Sequence, residues 1–208
     1  MNIQTLDVQG FVPAMRAMRN PYESYGKADT ARENNGKLHI GDNDMMLSKR
    51  LQNAGPEHCK HLRQIVVWAD ITADLTWWKQ ADTYRMGVEK VSSSTMHLLL
   101  SQPLQMKDFS MIKDGDNAYW PAELSVIIGW LNAKILSYKE ETDQNKKKKL
   151  WQEVVNLLPE SYLQTRTVMI SYAAIRNIIN QRKGHKLGEW AEFIEWAKTL
   201  PENWMLFE

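Results

Sequence analysis

Apolar residues recur every three or four positions through most of this chain, and short β-branched runs interrupt that rhythm in few places. Val8, Phe11, Val12, Met15 and Met18 keep helical spacing until Asn20-Pro21, where proline disfavours a helical residue before it, so an opening helix is predicted over 8–19. Residues 20–41, with Asn34-Asn35-Gly36 and Gly41, read as a surface loop with room for a strand pair at its end. Asp42 is placed to cap a helix over 43–54 that carries Met45, Met46, Leu47 and Leu51, and Gly55-Pro56 stops it. Gln64 to Ile71 is short and β-branched, a strand buried on at least one face. A helix from Leu75 to Arg85 would align Trp78, Asp82 and Arg85, with Gly87 ending it. The apolar run 96–100, closed by Pro103, reads as a second strand.

Pro121 suits the first position of a long helix, and Leu124, Ile127, Ile128, Leu131, Ile135 and Leu136 hold its phase. The charge run 139–149, KEETDQNKKKK, reads as a solvated helix end and loop because its acids offset its lysines. Further helices are expected over 150–158, 170–182 and 186–200, the last two parted by Gly184. Two strand candidates among many helices give a helix-rich α+β class, and the length favours a single domain over 1–208.

Composition narrows the partners. With 26 basic and 25 acidic residues the net charge is +1, so no global field draws in a nucleic acid polymer or an anionic membrane. One cysteine, Cys59, excludes an internal disulfide framework and fits a reducing compartment, the cytoplasm most simply. No stretch reaches the roughly 18 apolar residues of a membrane span. Nine tryptophans suit a core or an oligomer interface, and could also wall a flat ligand.

The candidate chemistry lies in two stretches, Trp77 to His97 and Ser171 to Trp190. The first holds Gln80, Thr83-Tyr84-Arg85 and Ser93 in series; the second holds Asn177-x-x-x-x-Arg182, with Asn180 and Gln181 making the same face polar. His58 and His61 are three apart, yet no carboxylate or cysteine pair nearby completes a metal set, so no metal site is assigned. Cys59 lacks an evident orienting group. His97 and His185 could each carry a proton near neutral pH, although a lone histidine beside an apolar run is more often structural.

Taken together, the two stretches resemble the flavin-dependent thymidylate synthases, whose signature is Arg-His-Arg, two variable residues, Ser, and then Asn-Glu-x-Ser. Arg85 and Ser93 match that pattern, Gln80 matches a glutamine the family places three residues before its triplet, Asn177 and Arg182 resemble the family's downstream Asn-(four residues)-Arg, and the resemblance spans about residues 40–200. It implies a helix-rich fold with a small antiparallel sheet, a homotetramer, and methylation of dUMP using methylenetetrahydrofolate, FAD and NADPH. On that resemblance Arg182 would activate the pyrimidine, Gln80, Arg85 and Ser93 would hold the nucleotide, and Asn177 and His61 would serve the flavin. The chain departs from the pattern at Thr83, Tyr84, Val88, Thr95 and Val155, three of which stand where the family places phosphate-binding arginines. Lys79, Lys90, Arg166 and Arg176 are the candidate replacements. Those departures keep a second reading open, a non-catalytic relative that binds a nucleotide or a protein partner. A small, diverged scaffold would also fit a phage-encoded protein working in a host cytoplasm.

Overall fold

The computed structural model describes residues 1–207, and for Met96 and His97 it describes the backbone alone. The chain opens with strand β1 (Asn2–Gln9) and helix α1 (Phe11–Ala17). The antiparallel pair β2 (Ala31–Arg32) and β3 (Leu38–His39) follows, then helix α2 (Asp42–Asn53). Strand β4 (Val66–Asp74) runs directly into α3 (Leu75–Ala81), and β5 (Val88–Ser92) precedes the one-turn helix α4 (Thr95–Leu98). A hairpin of β6 (Ile112–Asp114) and β7 (Asn117–Tyr119) leads to the long helices α5 (Ala122–Glu140) and α6 (Gln144–Asn156). Strand β8 (Leu163–Ser171) runs directly into α7 (Tyr172–Arg182), followed by α8 (Glu189–Ala197) and α9 (Trp204–Phe207). The side chain of His97, weighed above as a proton carrier, lies outside the described residues.

Four strands form one sheet in the order β1-β4-β8-β5. Thr72 Oγ1 bonds Thr165 Oγ1 at 2.7 Å and Thr167 Oγ1 donates to Asp70 at 2.6 Å, so the numbering rises along β4 as it falls along β8. Those two strands are therefore antiparallel. The same holds for β5 and β8, where Ser93 N donates to Thr165 O and Ser171 N donates to Gly87 O. Along β4 every second residue is buried, Val67, Ala69, Ile71 and Ala73, which is the period of a strand with one face in a core.

Several boundaries differ from the sequence expectation. Residues 2–9 are an edge strand with little buried surface, and the opening helix starts only at Phe11. Gly10, at φ 99°, turns the chain there; a Cβ on it would meet the Gln64 carbonyl oxygen at 2.1 Å. The run 96–100 is no strand. Thr95–Leu98 close a helical turn and Leu99 and Leu100 enter the core. The helix expected to reach Arg85 stops at Ala81, leaving Arg85 off its face. The lysine run is helical, because the Asp143 side chain accepts from the Asn145 and Lys146 amides and starts α6 early.

The chain gathers into two compact units. The first comprises residues 1–2, 72–82 and 91–166. Its core joins Leu99, Leu104 and Phe109 to the inner face of α5, Leu124, Ile128, Leu131 and Ile135, with Val154 from α6. The Asn132 side chain fixes the loop beneath, accepting from Leu104 N at 2.8 Å and donating to Leu104 O at 3.0 Å. Asp74 ends β4 and caps α3 by accepting from Trp77 N at 2.8 Å.

The second unit comprises residues 3–71, 83–90 and the chain from Thr167. Helix α7 packs against α8, α9 and the turn at Lys60–Arg63, with Tyr172 and Ile175 fully buried. The Tyr172 hydroxyl donates to the Pro201 carbonyl, and its ring meets Phe11 edge-on at 5.5 Å. Asp42 proves to be a first-turn residue of α2. The capping carboxylate comes instead from Asp29, which accepts from Asn43 N at 2.8 Å and Asp44 N at 3.0 Å. Asp44, fully buried, receives Arg19 Nη2 at 2.6 Å and the Thr30 amide at 3.0 Å.

Candidate functional site

A cavity of about 740 Å³ lies within the second unit. Ser171 closes β8 and caps α7, accepting from Ala174 N at 3.2 Å, so Ala173, Ala174, Arg176, Asn177 and Asn180 recur on one helical face and line the cavity. Gln52, Cys59, Leu62 and Arg63 line it from α2 and the turn that follows. Met86 and Gly87 complete the lining from the loop before β5. Gly87 sits at φ +71°, and a Cβ on it would meet Ser171 Oγ at 2.4 Å, so a side chain there would displace the cap of α7.

Behind this lining runs a polar chain. Arg176 Nη1 donates to Gln52 Oε1 at 2.7 Å and lies 3.8 Å from Cys59 Sγ. Gln52 Nε2 donates to Ser48 Oγ at 3.1 Å, and Ser48 Oγ shares a 2.9 Å hydrogen bond with His61 Nε2. His61 is 3% exposed, and its Nδ1 meets no partner among the described residues. Burial, seconded by the positive charge of Arg176, pushes its pKa down to about 4, so the imidazole is neutral at physiological pH. Burial also pushes the Cys59 thiol up, against the opposing pull of Arg176. His61 does not line the cavity itself. Ser48 and Gln52 stand between them.

A second cluster adjoins the far end of α7. Arg182 Nε donates to the Tyr84 hydroxyl at 2.8 Å, and its guanidinium lies 4.7 Å from the Trp190 ring centre and 5.4 Å from that of Tyr84. The Tyr84 hydroxyl donates to Gln181 Oε1 at 3.1 Å, and Gln181 Nε2 donates to Asn177 Oδ1 at 3.0 Å. Asn177 and Arg182, which the family resemblance implies as flavin and pyrimidine groups, are thus joined through Gln181 and Tyr84. Arg85 is exposed on the same loop as Tyr84.

Gln80 and Ser93 belong to the first unit. Gln80 is half-buried in the last turn of α3, and exposed Ser93 is held by its backbone, donating to Thr165 O and accepting from Gln164 Nε2. The candidate replacement cations all have protein partners. Arg166 donates to both carboxylate oxygens of Asp82, at 2.8 and 3.1 Å, and stacks 4.2 Å from the Trp78 ring centre. Lys79 pairs with Glu160 at 2.5 Å, and Lys90 reaches the Tyr84 carbonyl at 3.5 Å. Sequence reasoning did not assign Gln52, Arg63 and Asn180 to a site; the polar face of α7 signalled only Asn180. Among the described residues no group of three histidine, cysteine or carboxylate side chains gathers as a metal site. Among the described residues, no helix is long and apolar enough to cross a membrane.

No protein-family model matches the sequence, and no curated protein does. Solved structures match its fold. Thymidylate synthase X (ThyX) from Helicobacter pylori, with FAD and dUMP, aligns at a TM-score of 0.72 with 16% identity, over 99% of this chain and 97% of that one. A second flavin-dependent thymidylate synthase structure from Helicobacter pylori, complexed with FAD and dUMP, aligns at 0.71 with 16% identity, over 99% and 98%. This chain therefore has the thymidylate synthase X fold along essentially its whole length. A shared fold alone does not carry the activity.

Proposed function

We propose that this protein binds FAD in the cavity of the second unit and methylates a dUMP-like nucleotide by thymidylate-synthase-like chemistry. The donor set of the cavity carries the reading: two guanidinium groups, Arg63 and Arg176, and two amides, Asn177 and Asn180, surround apolar Leu62 and Ala174. Guanidinium groups suit a diphosphate, and an apolar wall with few polar groups suits a flat ring. The two solved relatives in fold hold FAD and dUMP, which supports the same ligand pair here.

In this reading Arg63 and Arg176 hold the cofactor's phosphates, while Asn177 and Asn180 meet the acceptor edge of its ring. When bound, FAD supplies the hydride, renewed by NADPH, that completes the methyl group brought by methylenetetrahydrofolate. Arg182 stabilises negative charge developing on the pyrimidine, the kind of preorganised charge contact that acts most strongly where water is excluded. Gln80, Arg85 and Ser93 are nucleotide contacts, and His61 supports the cavity wall through Ser48 and Gln52. The assembly is a homotetramer in the cytoplasm. Apolar surface on α5, with Val126 74% and Trp130 43% exposed, suits association between copies.

One observation favours the alternative of a non-catalytic nucleotide or protein binder. Arg166, a candidate to replace a lost phosphate-binding arginine, is already neutralised by Asp82. Incubating the protein with dUMP, FAD, NADPH and methylenetetrahydrofolate, and following dTMP by mass spectrometry, separates the two. Formation of dTMP supports the enzyme reading; dUMP bound without product supports a non-catalytic nucleotide binder; neither binding nor product overturns both of these and leaves the protein binder.

A further inference from the structure

The hydrogen-bond chain from Arg182 to the cavity can run in one direction only. A guanidinium donates and never accepts, so Tyr84 must accept from Arg182 Nε with its hydroxyl oxygen. The Tyr84 hydroxyl hydrogen then goes to Gln181, whose only acceptor is Oε1. That choice turns the Gln181 amide nitrogen toward Asn177, which must meet it with Oδ1. The orientation of both amides follows from the arginine's chemistry. With Oδ1 committed to Gln181, Asn177 is left with its two N–H groups to offer a ligand in the cavity it lines.

We propose that Tyr84 and Gln181 are positioning residues that fix Asn177 as a hydrogen-bond donor, so that the cavity selects ligands presenting an acceptor edge, a carbonyl oxygen or unprotonated ring nitrogen. This rests on the reading of the cavity as a flavin site, because an oxidised flavin ring presents such an edge. It also gives the departure at Tyr84 a function, since Tyr84 links Arg182 to the cavity. Tyr84 keeps its ring on Trp190, 6.0 Å between centres, independently of its hydroxyl. Removing the oxygen therefore cuts the relay and spares the packing.

The test compares wild type with Tyr84→Phe, Gln181→Met and Gln181→Glu. Binding is read by fluorescence titration with FAD and with lumiflavin, a ring without phosphate, so that the added charge of the glutamate is not mistaken for the relay. Tyr84→Phe and Gln181→Met free the Asn177 amide to rotate, whereas Gln181→Glu accepts from Tyr84 and from Asn177 and so turns the Asn177 oxygen to the cavity. The expected order of lumiflavin affinity is wild type, then Phe and Met, then Glu, the last weaker by about tenfold, the worth of one hydrogen bond. Melting temperatures should stay together. Equal lumiflavin affinity in wild type and Gln181→Glu overturns the relay and leaves the flavin reading standing. No flavin binding by wild type overturns the flavin reading, and ligand-free protein then judges the relay. There, side-chain amide signals of both Gln181 and Asn177 should move in the NMR spectrum of Tyr84→Phe. Unmoved signals overturn the relay.

Discussion

The guanidinium of Arg182 lies 4.7 Å from the centre of the Trp190 ring, in a stack that a solvated surface arginine would not keep. Trp190 is buried and continues edge-on into Phe193 at 5.9 Å, so the aromatic plane holding Arg182 is itself held by the core. Replacing Arg182 by alanine should lower dUMP affinity by tenfold or more and cost about 1 kcal/mol of stability through the lost stack. Calorimetric titration and a thermal melt check the two parts separately. Unchanged dUMP affinity would return Arg182 to a structural role.

His61 makes stability depend on pH. Its pKa is about 4 in the folded protein and near 6.5 in the unfolded chain, so between those values the unfolded state binds more protons. Stability is full above about pH 6.5, declines as pH falls, and has lost about 3 kcal/mol from this group below about pH 4. Urea unfolding at pH 7, 5.5 and 4.5 should show that decline in wild type and a shallower one in His61→Gln. Parallel profiles would show that the buried imidazole is not the cause.

Arg19 and Asp44 are 5% and 0% exposed, and each satisfies the other. Arg19→Ala leaves the Asp44 carboxylate buried without its countercharge, which should cost about 3–5 kcal/mol. The loss is read by chemical denaturation. A cost below about 1 kcal/mol would mean that the backbone amides of Asp29 and Thr30, which donate to Asp44 Oδ2 at 3.2 and 3.0 Å, suffice for Asp44.

Gly87→Ala joins two penalties, a positive φ and a Cβ 2.4 Å from Ser171 Oγ. The expected outcome is about 1–3 kcal/mol of lost stability together with weakened flavin binding, since both residues line the cavity. An alanine variant with wild-type stability and binding would show that the loop has room to move.

The long helices were legible because their faces repeat without interruption: α2 and α5 fall close to the sequence expectation. Among the strands, β4 was legible from its β-branched run and the β2–β3 pair from the turn residues around it, whereas β1, β5 and β8 were not. β1 is exposed, β5 reads Val-Glu-Lys-Val-Ser, and β8 carries Gln164 and Arg166 among its β-branched residues, so none shows an apolar run. Their pairing depends on partners such as Thr72 with Thr165, which no local pattern reveals. At the candidate site, Asn177, Asn180 and Arg182 could be grouped because they share α7. Gln52, Cys59 and Arg63 reach the same cavity from another stretch of chain, and only tertiary packing unites them.

The central claim is that this cavity holds a flavin. Its most direct test is the absorbance spectrum of the protein after incubation with FAD and gel filtration to remove the excess. The account predicts a flavin band retained with the protein, reduced by replacing Arg63 or Arg176 with alanine. Protein that elutes without flavin after incubation at any FAD concentration would contradict it.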